Sequence, residues 1–385
     1  MRHKKVVLAI TVVAVGRAVA AGAGYEALEY GFRFASAIVS DEKDRSAAQQ
    51  SVLLDLAELG GIEEAAARVS QVEGWRRGIV YADLGVHLAA DGQKARARQM
   101  IDKAEEIANA TEGWQKARVK AHVAQALGAV GEKQAAEGVA VEIAQADPKQ
   151  YAARSVATVA SGSASEPGFD DAMGKLDSLS ADVDLEAAWW RTVGYASLAR
   201  RGDLPRGQRM KALEAARGSA SAIQGWKQAE ALESIAEEYR KQGEEKKARE
   251  CLEAAQKIVR PLPETTPVKA ALMSNLARAW TRLGETKLPR ELLAEAEPSV
   301  ARAPLIERPA LYASVASGFV ALNDTASSKR LYDRALGEAE ALVNARPRAL
   351  AVVAICRSLG RQGQELDAAT RGRLDSLLAG LKDPW

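Results

Sequence analysis

An all-α chain, built as an α-solenoid (a superhelix of antiparallel helix pairs in about nine units), is predicted by three features of the sequence. A glycine, once an asparagine, recurs just after an apolar helical stretch, at Gly61, Gly92, Gly131, Gly168, Gly202, Gly243, Gly284, Asn323 and Gly363. Large and small residues stand at fixed offsets before this pivot, and alanines at fixed offsets after it. No strand-like alternation or hairpin signal competes along the chain. With 47% hydrophobic, 27% charged and 5% aromatic residues, 385 positions can bury a sizeable core, and a repeat array absorbs any length without a domain break.

The first element is not a repeat. Residues 1–5 (MRHKK) are basic, 6–15 (VVLAITVVAV) form an apolar run, and small residues follow at Ala18, Ala20, Ala21 and Gly22. This is the three-part layout of a secretory signal peptide, assigned to residues 1–20. The run falls well short of the roughly 20 residues a spanning helix needs, and Arg17 blocks its extension. An N-terminal membrane anchor is therefore the alternative reading, and membrane contact is expected only through this segment if it stays uncleaved. The protein is expected to be exported, periplasmic or secreted. Lys plus Arg is 53 and Asp plus Glu is 51, for a net charge of +2; removing residues 1–20 takes Arg2, Lys4, Lys5 and Arg17 and no acid, leaving −2. That balance argues against a nucleic-acid partner.

Residues 21–45 read as a helical lead-in, 46–260 as units one to six and 268–385 as units seven to nine, joined by PLPETTP (261–267). Within a unit, the first helix is marked by Leu88, Leu127, Leu198, Tyr239, Trp280, Phe319 and Leu359 four residues before the pivot. Eight before it stand Leu84, Val123, Ile235, Leu276, Val315 and Ile355, and seven before it the small Gly85, Ala124, Ala236, Ala277, Ala316 and Cys356. Large residues four apart beside a small one make a helix face that lets a second helix approach closely. The pivot is then a left-handed C-cap, a conformation that glycine takes freely and asparagine tolerates. Alanines five and twelve residues after it, such as Ala97 with Ala104 and Ala248 with Ala255, mark the second helix. Trp75, Trp114, Tyr151 and Trp226 open their units seventeen residues before the pivot. Units four and five are degenerate, and Ser161–Pro167 is rich in helix breakers.

These positions resemble the tetratricopeptide repeat, most closely in WKQAEALESIAEEYRKQGEEKKARECLEAA (226–255), and the resemblance covers about residues 46–385. The period is near 40 rather than 34, because an extra turn bearing the tryptophan lengthens the first helix. The resemblance implies a concave groove lined by one stripe of the first helices. Here that stripe holds Arg200, Glu230, Glu233, Glu237, Arg240, Lys241, Arg278, Thr281, Arg282, Arg357 and Arg361, mixed in charge and leaning basic. Arg200, Lys241, Arg282 and Arg361 also lie in last turns, where a base complements the helix dipole. Neither asparagine of the family's chaperone-tail clamp is present at the stripe positions, so that activity is not implied.

Signals for chemistry are thin. Gly168 to Leu176 imitates a phosphate loop, but with five intervening residues instead of four, leucine in place of the hydroxyl, and no strand before it. No zinc-protease, serine-hydrolase or dinucleotide motif occurs. His87 and His122 belong to different units at different repeat positions, so both read as structural. Cys251 and Cys356 fall three units apart and are expected to be free and buried. Trp75, Trp114 and Trp226 read as wedges between helix pairs rather than ligand platforms, and of Trp189 and Trp190 one is expected to be exposed or at a groove edge. No catalytic residue, metal or cofactor is expected. The function expected is a non-catalytic protein-interaction or assembly scaffold of the cell envelope, holding an acidic peptide or protein segment in the groove. The alternatives are a hydrolase with its site in the degenerate middle units and an RNA-binding helical repeat.

Overall fold

A computed structural model describes residues 24–146, 168–179 and 185–382. The signal-like residues 1–20, Tyr151 and the breaker-rich Ser161–Pro167 lie outside them. The described residues contain eighteen α-helices and no strand, with sequential helices packed in pairs. They divide into two compact units: unit 1 joins the chain up to Glu73 with the chain from Ala303, and unit 2 is Gly74–Arg302. The proline-rich connection 261–267 lies inside unit 2.

Unit 2 contains α4 (Trp75–Ala90), α5 (Lys94–Asn109), α6 (Gly113–Val130), α7 (Lys133–Ala146), α8 (Phe169–Asp177), α9 (Leu185–Arg200), α10 (Arg206–Ala220), α11 (Trp226–Lys241), α12 (Glu245–Val259), α13 (Pro267–Arg282) and α14 (Lys287–Arg302). The offsets found in the sequence have direct structural counterparts. At Gly243 (φ 78°) the glycine N–H donates to the carbonyl of Arg240 at 3.0 Å, and the next N–H, of Glu244, donates to the carbonyl of Tyr239 at 2.9 Å. This pair of bonds closes the last turn in a left-handed cap. The same pair recurs at Gly92, Gly131 and Gly284, and at Asn323 and Gly363 in unit 1. The large residue four before the pivot thus fills the core with its side chain and closes the turn with its carbonyl. Seven before it, a Cβ on Gly85 would stand 3.1 Å from Cγ1 of Ile101 and 3.3 Å from the carbonyl of Ala97, both on α5, so the small residue is what lets the pair close.

Three pivots differ from expectation. The left-handed residue of the first unit is Gly60 (φ 91°), not Gly61 (φ −78°), which instead precedes the next helix. Gly168 (φ −95°) is not left-handed and directly precedes α8. Gly202 is not left-handed; the chain leaves α9 through a turn in which Arg201 pairs with Asp203 at 2.7 Å and Leu204 is buried.

A Cβ at Gly243 would have no neighbour within 4 Å, so only backbone strain opposes a side chain there. Gly243→Val is expected to cost about 1–2 kcal/mol by urea denaturation. Gly243→Asn is expected to keep most of the stability, because Asn323 occupies the same corner at φ 56°.

Unit 1 contains α1 (24–36), α2 (Glu42–Glu58), α3 (Ile62–Arg68), α15 (Arg308–Ala321), α16 (Thr325–Glu340), α17 (Ala345–Arg361) and α18 (Ala368–Ala379). Here the rule that a solenoid unit touches only its sequence neighbours is broken. Helix α2 packs against α17, the first helix of the last unit, as α15 does. Helix α1 buries Ala27, Leu28, Tyr30, Phe32, Phe34 and Ala35. It lies so close to α17 that a Cβ on Gly24 would run into the carbonyl of Gly360, and one on Gly31 would stand 3.2 Å from Cβ of Cys356. Against α18, Tyr30 donates to Asp375 at 3.0 Å and Arg371 donates twice to Glu26, at 2.6 and 2.9 Å. The two ends of the described chain therefore share one core.

Candidate functional site

The predicted stripe falls in both units. In unit 2, helices α9, α11 and α13 bring their C-terminal ends together around two glutamates of α11. Glu238, only 3% exposed, accepts from Arg200 of α9 at 2.9 Å and from Lys241 at 3.0 Å. Arg200 also donates to Ser234 at 2.9 Å. Glu237 accepts two bonds from Arg240, both at 2.9 Å, and lies 3.5 Å from Arg282 of α13. Burial pushes the Glu237 carboxyl up, but the Arg240 bonds and the charge of Arg282 outweigh it, and the net shift is downward. One turn earlier Glu233 is pushed up by burial against the opposing pull of Arg278 and Arg282. Arg278 donates to Asn275 at 2.6 Å, and the Thr281 hydroxyl is spent on the carbonyl of Ala277 at 2.8 Å. Arg200, Glu237, Arg240, Lys241, Arg278 and Arg282 thus form one charged cluster, and Thr281 is turned to its own helix.

In unit 1, Arg357 and Arg361 already hold an acid from within the chain. Arg357 donates to Asp55 at 2.6 and 3.3 Å, and Arg361 donates to the same carboxylate at 2.8 Å. Asp55 is fully buried on α2, whereas the two arginines are 30% and 49% exposed. Counted from Gly60, Asp55 stands five residues before its pivot, where Glu238 stands before Gly243. Arg361 reaches Asp55 from the neighbouring first helix just as Arg200 reaches Glu238. The last unit therefore receives the first as it would a following repeat. A lone acid at that buried offset is a sequence signal for this clamp.

Other candidates are placed as follows. His122 Nδ1 lies 2.7 Å from Asp83 Oδ1, so an acid orients the ring. It comes from the preceding repeat at the same offset, nine before the pivot, where a search along one helix misses it. The phosphate-loop imitation is part of a helix: Lys175 pairs with Asp171 at 2.9 Å, and Phe169 and Leu176 are buried. Trp189 and Trp190 are both half-buried, so neither is fully exposed. The packing role assigned to the recurring tryptophans fits Trp75, which is half-buried, but Trp114 and Trp226 are 47% and 39% exposed. Each stands at or beside the first residue of its helix. No group of His, Cys, Asp or Glu among the described residues could hold a metal ion, and no described helix is long and apolar enough to cross a membrane.

Cys251 and Cys356 are free and buried, as expected. Burial pushes their thiols up to about 11 and about 12. At pH 8 a maleimide is expected to label neither in the native protein and both after denaturation, read by intact mass, because the thiolate is the reacting species.

The sequence matches no known family model and no curated protein. Among solved structures it is similar to a crystal structure of Ton1535 from Thermococcus onnurineus NA1, at 15% identity over 82% of this chain and 92% of that one, with a TM-score of 0.30, a likeness that carries no functional inference.

Proposed function

We propose that the protein is a non-catalytic interaction scaffold of the cell envelope, with tetratricopeptide-like units, that holds an acidic segment of a partner protein along the first helices of unit 2. One observation carries the reading. Arg200, Lys241 and Arg282, from three successive first helices, are 47%, 49% and 48% exposed, and each is anchored on Glu237 or Glu238 of α11. Anchored cations lose less side-chain freedom when a ligand arrives, and guanidiniums suit carboxylates. Four glutamates, Glu230, Glu233, Glu237 and Glu238, offset much of the positive charge, which favours modest, salt-sensitive affinity. Arg357 and Arg361 are left out, because Asp55 occupies them. The envelope location rests on the signal-like residues 1–20.

The test is affinity capture from the native cell envelope with wild-type protein and an Arg278→Glu/Arg282→Glu variant. The partner held by the wild type is expected to be lost from the variant, with circular dichroism unchanged. Capture of the same partner at the same level by both overturns the reading.

A further inference from the structure

Exposed apolar side chains are not scattered over this molecule. Val39, Trp114, Trp226, Leu305, Ile306 and Val343 all lie in a connection leading into a first helix or at its first turn, and among the described residues only Val141 is a large exposed apolar side chain elsewhere. In unit 2 the feature is built three times. Gly74, Gly113 and Gly225 have φ of 62°, 59° and 65°, and Gly74 and Gly225 share ψ of −156° and −149°. Only glycine takes that backbone conformation readily, and each copy sets an indole at the mouth of its helix.

The first two copies meet. The rings of Trp75 and Trp114 pack edge to face, 5.3 Å apart at 72°, which shows that α4 and α6 begin on the same edge of unit 2. The guanidiniums of Arg76 and Arg118 lie 4.5 and 5.3 Å from the Trp75 ring. Each indole is followed within three residues by a base, namely Arg76 and Arg77, Lys116, and Lys227, and by no acid. Acids stand two residues before Trp75 and Trp114, at Glu73 and Glu112, and four after Trp226, at Glu230; Glu73 is held by Arg45 at 2.5 Å.

We propose that the Gly-Trp edge of unit 2 seats on an anionic lipid surface, with the indoles in the headgroup layer and the bases against lipid phosphates. Indole is amphipathic and favours the interface between headgroup and acyl chain. Lys and Arg beside it gain from the negative surface potential of anionic lipid. Single indoles at the same offset of three repeats, each with its own cation, match a plane of repeated anionic headgroups better than one deep pocket for a protein anchor. Trp75 and its two guanidiniums brace the more exposed Trp114, so the surface is ordered before it meets the membrane. The edge is independent of the charged cluster on α9, α11 and α13, and either reading can fail without the other.

The test is co-sedimentation of the full chain with vesicles of phosphatidylcholine alone or mixed about equally with phosphatidylglycerol, with tryptophan emission recorded on the same samples. The mixed vesicles are expected to bind with a blue shift, about tenfold or more tighter than phosphatidylcholine, and to release the protein as salt rises. A Trp114→Ala/Trp226→Ala variant is expected to bind them about tenfold or more weakly with unchanged thermal midpoint, and Arg76→Glu/Lys116→Glu should lose the lipid preference. Three results overturn the proposal: equal binding to both vesicles, binding untouched by the tryptophan variant (which would place it in residues 1–23), or no vesicle binding. No vesicle binding together with a lower solution mass for the tryptophan variant would make the edge a contact between copies of the chain.

Discussion

Arg357→Ala with Arg361→Ala is expected to destabilise unit 1 by about 3–5 kcal/mol, because it strands a carboxylate that has no access to water. Asp55 is fully buried, and these arginines are its two charged partners in unit 1. Asp55→Asn is expected to cost less, since the arginines are 30% and 49% exposed and can take up water in place of the acid. The asymmetry is the diagnostic feature. Combining Asp55→Asn with both arginine changes should recover part of the loss, since no buried charge then lacks a partner. Urea denaturation with hydrogen exchange resolves the effect by region. Faster exchange in 24–73 and 303–382, with 74–302 retained, is the expected pattern; equal costs for the double and the Asp55 variants would mean that the carboxylate is solvated.

Gly360→Ala is expected to cost about 2–3 kcal/mol, at the upper end of overpacking. The added Cβ would stand 2.6 Å from Cγ and 2.8 Å from Cδ2 of Leu28, and 3.0 Å from the carbonyl of Gly24. Leu28 is fully buried, so it has no solvent-side rotamer into which to retreat. Gly372→Ala on α18 is the control: nothing lies within 4 Å of its Cβ, and helix propensity alone predicts a gain of about 0.5–1 kcal/mol. Thermal midpoints of the two variants should therefore move in opposite directions. A Leu28→Ala background should soften the Gly360 effect, measurable as a coupling energy.

The repeat was legible because its determinants are local. A large residue, a small one and a glycine at fixed offsets specify a helix, a close approach and a left-handed stop within one turn of chain. The first stop was misread by one residue because Gly60 and Gly61 are adjacent; the buried Leu56, four before Gly60, is what distinguishes them. Gly202 has the expected buried Leu198 four residues before it, yet the chain leaves α9 through a turn that is not left-handed. The charged stripe was legible as residue types, but not its internal pairing. Glu237 stands on the predicted stripe, whereas Glu238, one residue on and outside it, is buried by the neighbouring helices and becomes an anchor. Long-range partners were illegible from single helices: Asp83 for His122, one repeat away, and Asp55 for Arg357 and Arg361, at the far end of the chain.

The shared core of α1, α2, α17 and α18 also sets an order of events in folding. Asp55 and Arg357 are 302 residues apart in sequence, and Glu26 and Arg371 are 345 apart. Closing a flexible loop of about 300 residues costs on the order of 5 kcal/mol in chain entropy before any contact repays it. Unit 2 is a continuous stretch whose neighbouring helices can dock as they emerge, and its collapse shortens the span that unit 1 must close. The earliest described residues to leave the ribosome must therefore wait for the last ones, exposing the apolar face of α1 until α17 and α18 arrive. Synthesis runs from one end to the other, but native structure is expected to spread from the middle outward, with closure of unit 1 the slow step.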